Sequence, residues 1–163
     1  MAVTRQGPTY LLQGQGTCPT RLPDPNRPGE YLRVSPFFYD QEEIAETDLT
    51  VEILKLPAGK IEIYPTLSRL KADQMVATAD LSLGHAAYSD PGLSPSPQTV
   101  AANLVKWASA LDVGGGVIDA AFVGSDPQVF NSVAGVLVKA LIATANIDLD
   151  DEVQGWVAWR FAS

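Results

Sequence analysis

The sequence VEILKLPAG at residues 51–59, followed by IEIY at residues 61–64, gives the clearest indication of the fold class. Apolar side chains recur there at close to every second position, which is the period of a β-strand with one face on a core. The PAG break at residues 57–59 predicts a tight turn, because proline fixes φ and glycine tolerates the left-handed region. We therefore expect a strand, a turn and a second strand with Ile61 and Ile63 on one face.

The same period continues towards the C-terminus. Residues 75–84, MVATADLSLG, alternate as a half-buried strand does, and residues 117–123 read as extended. Residues 136–147 are apolar on both faces, which is typical of a central strand covered on both sides. In residues 153–161, VQGWVAWRF, one face carries Val153, Val157, Trp159 and Phe161. The pattern predicts roughly six or seven strands.

One short helix is predicted between these strands, at residues 99–111. Its apolar positions recur at helical spacing, at Val100, Leu104, Trp107 and Leu111. The GGG run at residues 114–116 is then a helix C-cap. A helical turn is also expected at residues 126–130, where an Asp-Pro pair suits a helix start.

Residues 1–48 have a different composition. Six of the 12 prolines lie there, so neither a long helix nor a central strand is expected to run through the region. We predict an extended N-terminal arm over residues 1–48 and a β-sandwich domain over residues 49–163. The arm's large apolar side chains suit binding to a neighbouring surface, and the predicted interface residues are Tyr10, Leu11, Leu12, Phe37, Phe38 and Tyr39. The alternative is a loop-rich start packed on its own domain.

Trp156 is the other predicted interface residue. Its neighbours Val157 and Trp159 belong to the inward-facing set of the last strand, so alternation turns Trp156 outward. An outward tryptophan on a strand suggests a partner surface. The alternative is that the arm of the same chain covers it.

Composition and charge exclude several classes of function. Hydrophobic residues make up 46% of the 163 residues, enough for a buried core. Eleven Lys and Arg against 19 Asp and Glu give a net charge of −8, which disfavours binding to nucleic acid or to anionic membranes. The single cysteine, Cys18, cannot form an internal disulfide, and no apolar run is long enough for a signal peptide or a membrane span.

The search for catalytic groups predicts that the protein is not an enzyme. His85 is the only histidine, so a catalytic triad would need it together with Asp80 or Asp90, and no G-x-S-x-G motif supplies a nucleophile. Cys18 lies in the arm, a poor place for a rigid nucleophile. The glycine run follows the predicted helix instead of opening one, which excludes a phosphate loop. We predict no catalytic residue and no cofactor.

The acidic segment NIDLDDE, residues 146–152, is the nearest approach to a metal site. Its oxygen ligands have the odd spacing of an EF-hand loop, but Asp151 stands where glycine is needed and Val157 where a bidentate glutamate is needed. We therefore predict a hairpin turn and no metal site, with cation binding at residues 148–152 as the open alternative.

The order of several motifs resembles a known class of protein. VEILKLPAG, IEIYPTLSRL, ATADLSLGHA, a segment ending LDVGGG and a closing EVQGWVAWRF follow one another between residues 49 and 161. This order resembles small structural proteins of tailed phages, in particular head decoration (cement) proteins. The resemblance implies an antiparallel β-sandwich of jelly-roll type that binds the outer capsid lattice, often as a trimer.

On this resemblance the expected function is capsid stabilisation. The expected partners are the major capsid protein and further copies of the chain, as a homotrimer, with neither nucleic acid nor membrane as a partner. The expected location is the capsid exterior of the virion, after synthesis in the host cytoplasm. One alternative is another virion component, such as a tail-tube, tail-fibre or adaptor protein. The second is a carbohydrate-binding jelly-roll module, for which the available aromatic residues are Trp156 and Tyr88.

Overall fold

The chain folds as a series of short β-strands joined by turns. The computed structural model describes residues 3–6, 32–40, 49–75, 78–93, 97–143 and 151–162. Its strands are β1 (Val3–Gln6), β2 (Arg33–Asp40), β3 (Leu49–Leu56), β4 (Gly59–Ile63), β5 (Arg69–Ala72), β6 (Asp80–His85), β7 (Tyr88–Asp90), β8 (Gln98–Val100), β9 (Asn103–Asp112), β10 (Ile118–Ala121), β11 (Gln128–Ser132), β12 (Val136–Ala143) and β13 (Glu152–Phe161). The helical structure in this part of the chain is one 3-10 turn, Pro65–Leu67. No helix there is able to span a membrane.

These strands form two main sheets. Sheet A has the order β1-β3-β12-β6-β9, and sheet B has the order β10-β5-β13-β4-β11 with β2 also paired to β13. The pairing is antiparallel except between β1 and β3, and β7 with β8 makes a small separate hairpin. Buried residues of both sheets belong to one hydrophobic core. The mainly β, antiparallel sandwich class predicted from the sequence is confirmed.

The turn at residues 57–59 carries the chain from one sheet to the other. It joins β3 of sheet A to β4 of sheet B, and Gly59 has a φ of +106°. This backbone conformation suits glycine, as predicted. In β3 the alternation is interrupted, because the register with β12 shifts between Val138 and Lys139 and leaves Ile53 without a partner. As a result Ile53 and Leu54 are both buried.

Strands β4 and β5 are two parts of one interrupted strand. Both pair antiparallel with the same edge of β13, while β2 occupies its other edge. The 3-10 turn bulges out between them. Ser68 is buried and spans the gap, because its hydroxyl donates to the Tyr64 carbonyl at 2.8 Å and accepts from the Ala158 amide at 2.9 Å. The bulge leaves Leu67 49% exposed.

The predicted helix at residues 99–111 is wrong. Residues 103–112 form β9, which pairs with β6 across two register shifts. The extra residues break the period of two and bring apolar side chains to helix-like spacing. One irregularity lies at Ala110, where φ is +46° and the amide donates to Ser82 Oγ. The other lies over Gly84, where an added Cβ would come within 1.9 Å of the Asn103 carbonyl oxygen.

Two further predictions are also wrong, the helix C-cap at residues 114–116 and the helical turn at residues 126–130. The GGG run at residues 114–116 joins β9 to β10 and caps no helix. The expected helical turn at residues 126–130 is replaced by β11, which pairs along β4. In each case strand pairing at distant positions, which a local pattern does not contain, determines the structure.

Strand β12 is central in sheet A, as predicted, and the structure describes it over Val136–Ala143. Its residues alternate between buried and half-buried, so only one face is fully covered. Residues 144–150 lie outside the described part of the chain, and with them most of the acidic segment considered for a cation.

Parts of the region 1–48 pair with the sandwich. β1 lies beside β3 in sheet A, and β2 pairs along β13 in sheet B. The predicted interface residues Tyr10, Leu11 and Leu12 lie outside the described residues. The division of the chain at residue 48 therefore stays a prediction for residues 7–31 and 41–48, whereas β2 is a strand of sheet B.

Candidate interaction surface

The outer face of β2 carries exposed apolar side chains. Because side chains alternate along a strand, Val34, Pro36 and Phe38 face away from the core, and all three are exposed. Phe37 and Tyr39, between and beside them, are only 3% and 5% exposed. Proline suits this edge position, since it has no N–H to leave unpaired.

Trp156 lies on the same face as these residues. It pairs across the strands with Pro36, while Gln154 pairs with Phe38, and directly opposed residues share a face. The indole of Trp156 is half-buried, and its Nε1 donates to the Leu67 carbonyl at 2.8 Å. This bond fixes the ring beside the bulge between β4 and β5. We call this surface the outer apolar patch, made of Val34, Pro36, Phe38, Leu67 and Trp156.

Charged residues lie on the same face of sheet B beside the patch and are paired with one another. Arg69 is opposite Trp156, and both Arg69 and Lys71 lie near Asp119, at 3.8 and 3.4 Å. These three side chains are about half exposed, so their pairing contributes little to stability.

A second ionic group on this face lies where β4 meets β13. Arg160 Nε donates to Glu62 Oε2 at 2.6 Å, and the Tyr64 hydroxyl donates to the same oxygen at 2.9 Å. The hydrogen bond from Arg160 and then that from Tyr64 hold the pKa of Glu62 below its ordinary value. The carboxylate therefore stays ionised and paired, and the patch itself contains no formal charge.

Comparison with known proteins finds the same fold elsewhere. No protein-family model and no curated protein matches this sequence. A chain in the capsid asymmetric unit of cyanophage Pam1 matches with a TM-score of 0.59 and 18% identity, over 82% of this chain and 87% of that one. A chain in the capsid of Ralstonia phage GP4 matches with a TM-score of 0.61 and 12% identity, over 100% of this chain and 99% of that one. Similar folds occur in two phage capsids.

The structure separates the predicted interface residues into three groups. Phe38 and Trp156 come together in the outer apolar patch. Phe37 and Tyr39 lie in the core, where alternation places them, so these two side chains are not available to a partner. The remaining three, at residues 10–12, lie outside the described residues.

Three residues of the patch were not predicted. The sequence RVSPFFYD places Pro36 two residues and Val34 four residues before Phe38, so alternation along a strand puts all three on one face. Leu67 had no such signal. Its exposure follows from the bulge between β4 and β5, which depends on pairing with β13 some ninety residues away.

His85 has no catalytic arrangement in the described residues. It is buried against Tyr88, Trp107 and Phe130, and its Nδ1 contacts the Ala86 carbonyl at 2.9 Å. Asp90 instead accepts hydrogen bonds from Gly92 and Asn131. Within the part of the chain that the structure describes, no three metal-ligating side chains come together.

Proposed function

We propose that the protein is a virion structural protein, specifically a decoration (cement) protein that binds the major capsid protein lattice and stabilises the assembled head. The observation that carries the proposal is the outer apolar patch, an uncharged exposed surface on a fold that also occurs in two phage capsid structures. Self-association, as a homotrimer, belongs to the same proposal.

The patch has the composition of a protein-binding centre. Aromatic side chains surrounded by apolar and then polar residues are typical of the few positions that dominate binding energy. Phe38 is 37% exposed and Trp156 is held by its hydrogen bond to the 3-10 turn, so two aromatic rings are presented with little freedom to lose on binding. A pre-formed surface of this kind suits a rigid lattice.

Attachment to heads tests the proposal. Phage heads assembled from the major capsid protein of the same genome are mixed with the natural chain or with the double variant Val34→Ser, Phe38→Ser, and bound copies are counted after sedimentation. We expect the variant to bind at least about tenfold more weakly, since each buried apolar anchor contributes about 1 kcal/mol or more. Full occupancy by the variant would contradict the assignment of the patch.

The matched control is the double variant Val117→Ser, Val133→Ser. These valines are 71% and 60% exposed but lie outside the patch. The control removes similar apolar surface and is expected to bind like the natural chain. If the natural chain itself binds no head and is found in tails by immuno-electron microscopy, the tail-component alternative replaces the proposal.

A further inference from the structure

The edge of the sandwich opposite β2 contains a groove. β1 bounds sheet A on one side and β9 on the other, while in sheet B β2 and β11 lie on opposite sides of β13 and β4. Residues of β9 and β11 together line a cavity of about 800 Å³, with His85 and Tyr88 at its inner end. The groove therefore lies between the free edges of the two sheets.

The groove presents apolar and polar groups together and is almost uncharged. Phe130 is buried at its base and packs edge-on against the His85 ring at 5.3 Å. Val105 and Val129 are 49% and 52% exposed at its two sides. Among the described residues that line it, only Lys106 is charged at neutral pH. Such a surface suits an uncharged segment with apolar side chains.

Polar groups for an incoming segment are also available. Because the Ala86 carbonyl can only accept, the His85 Nδ1 carries the ring hydrogen and Nε2 is a bare acceptor. Every fully buried polar side-chain atom of the described residues has a partner. His85 Nε2 has no hydrogen-bond partner among those residues, so it is not fully buried by them. The imidazole thus offers an acceptor at the inner end of the groove.

The backbone edges of the described strands are open in part, with the Val105 amide donating to Asn103 Oδ1 at 3.2 Å. β9 pairs with β6 on one side, and on its other side the Val123 amide donates to the Trp107 carbonyl. Residues 103–106 have no strand beside that outer edge within the described chain, and the outer edge of residues 128–130 is likewise unpaired with any described strand. An extended segment can add main-chain hydrogen bonds at such edges.

We propose that this groove binds residues 7–20 of a neighbouring copy of the chain. This inference rests on the self-association that is part of the proposed function. The segment, GPTYLLQGQGTCPT, has no formal charge over 14 residues and carries adjacent apolar side chains at residues 10–12. Its lack of charge matches the groove, on a chain whose net charge is −8.

Chain length permits this contact between copies. Residues 7–31 connect β1 to β2, which lie at the edge opposite the groove. An excursion of 25 residues that leaves and returns at one edge extends up to about 40 Å, at about 3.3 Å per residue in each direction. A five-stranded sheet is only about 20 Å wide. The segment therefore reaches the groove of a second molecule placed edge to edge with the first.

The geometry makes the contact head-to-tail. The donating edge and the receiving groove are different surfaces, so each copy gives its segment to one neighbour and receives one from another. Heterologous contacts of this kind close into rings when the rotation between copies allows it. A cyclic trimer satisfies this condition. In a two-fold dimer the same face of both copies meets, so the segment edge of one copy does not face the groove of the other.

Disulfide trapping in the full chain tests the inference. Leu11→Cys and Val129→Cys are combined in a Cys18→Ser background. Each substitution is also made alone in that background, so that bridges between like positions of two copies are recognised and separated from the bridge that joins segment and groove. We expect mild oxidation to produce covalent oligomers on non-reducing gels. The control pairs Leu11→Cys with Val117→Cys, an exposed site outside the groove, and is expected to stay mostly uncrosslinked. A bridge confined to monomers, equal crosslinking in the control or no bridge would each overturn the inference.

Sedimentation gives a second, independent measurement. Val105→Asp with Val129→Asp puts charge at both sides of the groove on exposed positions, and circular dichroism checks that the fold is kept. We expect at least about tenfold weaker self-association, with Val117→Asp and Val133→Asp as the control pair. Unchanged association in the groove variant would overturn the inference.

These results are separable from the test of head binding. If the chain binds heads but forms no disulfide bridge, the proposed function is supported and the groove contact is contradicted. If disulfide-linked oligomers form but bind no head, the groove contact is supported and the proposed function is contradicted.

Discussion

His85 stands where the core meets the groove, and its ring is part of an aromatic cluster. Tyr88 of β7, Trp107 of β9 and Phe130 of β11 pack around it, and Lys106 of β9 is the nearby charge. Burial, and secondarily Lys106, lowers the pKa of His85 below its ordinary 6.5. A charged imidazole is therefore less favourable in the folded chain than in the unfolded one.

This predicts that mild acid destabilises the fold through His85. Since the unfolded state binds the proton more readily, the free energy of unfolding is highest above pH 6.5 and falls as the pH drops below that value. Urea unfolding at pH about 7.5 and about 5.5 measures the change. His85 is the only histidine, and Glu62, whose pKa is lowered from 4.5, loses its contribution only at lower pH.

The control for this pH dependence is His85→Phe. It keeps an aromatic ring of similar size but cannot be protonated, so its stability should change much less over the same interval. Equal pH dependence in both chains would show that another group is responsible.

At the scale of elements, β2 shows how alternation divides two neighbouring phenylalanines. Phe37 is 3% exposed and lies in the core, while Phe38 is 37% exposed and lies in the outer apolar patch. The strand therefore contributes one face to stability and the other to the proposed contact with the capsid.

Alanine substitutions of the two phenylalanines should differ in their effect on the free energy of unfolding, so each variant is the control for the other. Phe37→Ala should lower the free energy of unfolding by about 3–5 kcal/mol, because it leaves a cavity in the core. Phe38→Ala should lower it by about 1 kcal/mol or less and should weaken head binding instead. Chemical denaturation of both variants measures the difference. Similar losses would mean that β2 does not lie on the sandwich as described.

The sequence predicts the strands whose pairing is regular, and it misses strands whose pairing is interrupted by bulges. Where pairing is regular, as in β4 and along residues 153–161, the period of two is visible in the sequence. The bulges of β9 at Ala110 and opposite Gly84 shift its apolar positions to helical spacing, so the local pattern predicts a helix there. Such bulges are set by the partner strand, which a local pattern cannot contain.

The sequence also predicts only some residues of the outer apolar patch. Trp156 and Phe38 were identified from alternation and from aromatic character. Phe37 and Tyr39 were assigned to a partner because the proline-rich composition around them predicted an arm, whereas eight cross-strand pairs with β13 hold this segment in sheet B. Leu67 depended on a bulge that only the tertiary structure shows.

For the protein as a whole, the net charge of −8 causes repulsion between copies, whereas the uncharged patch contributes apolar surface to binding. Long-range repulsion between acidic copies is screened by salt, while burial of apolar surface is not weakened by it. We predict that head binding at about 1 M NaCl is at least as strong as at about 0.1 M. Sedimentation of decorated heads at both concentrations measures it, and a large loss at high salt would indicate that ion pairs dominate the contact.

Strand β13 pairs with β2, β4 and β5, all of which precede it by at least eighty residues. During synthesis, β4 and β5 can pair with β11 and β10 before β13 is made, but the strand that joins them to each other and to β2 is still missing. Sheet B is completed only when residues 152–161 have been made, and contacts so far apart along the chain form slowly. Assembly onto any partner that needs the outer surface of this sheet therefore has to follow translation of that late strand.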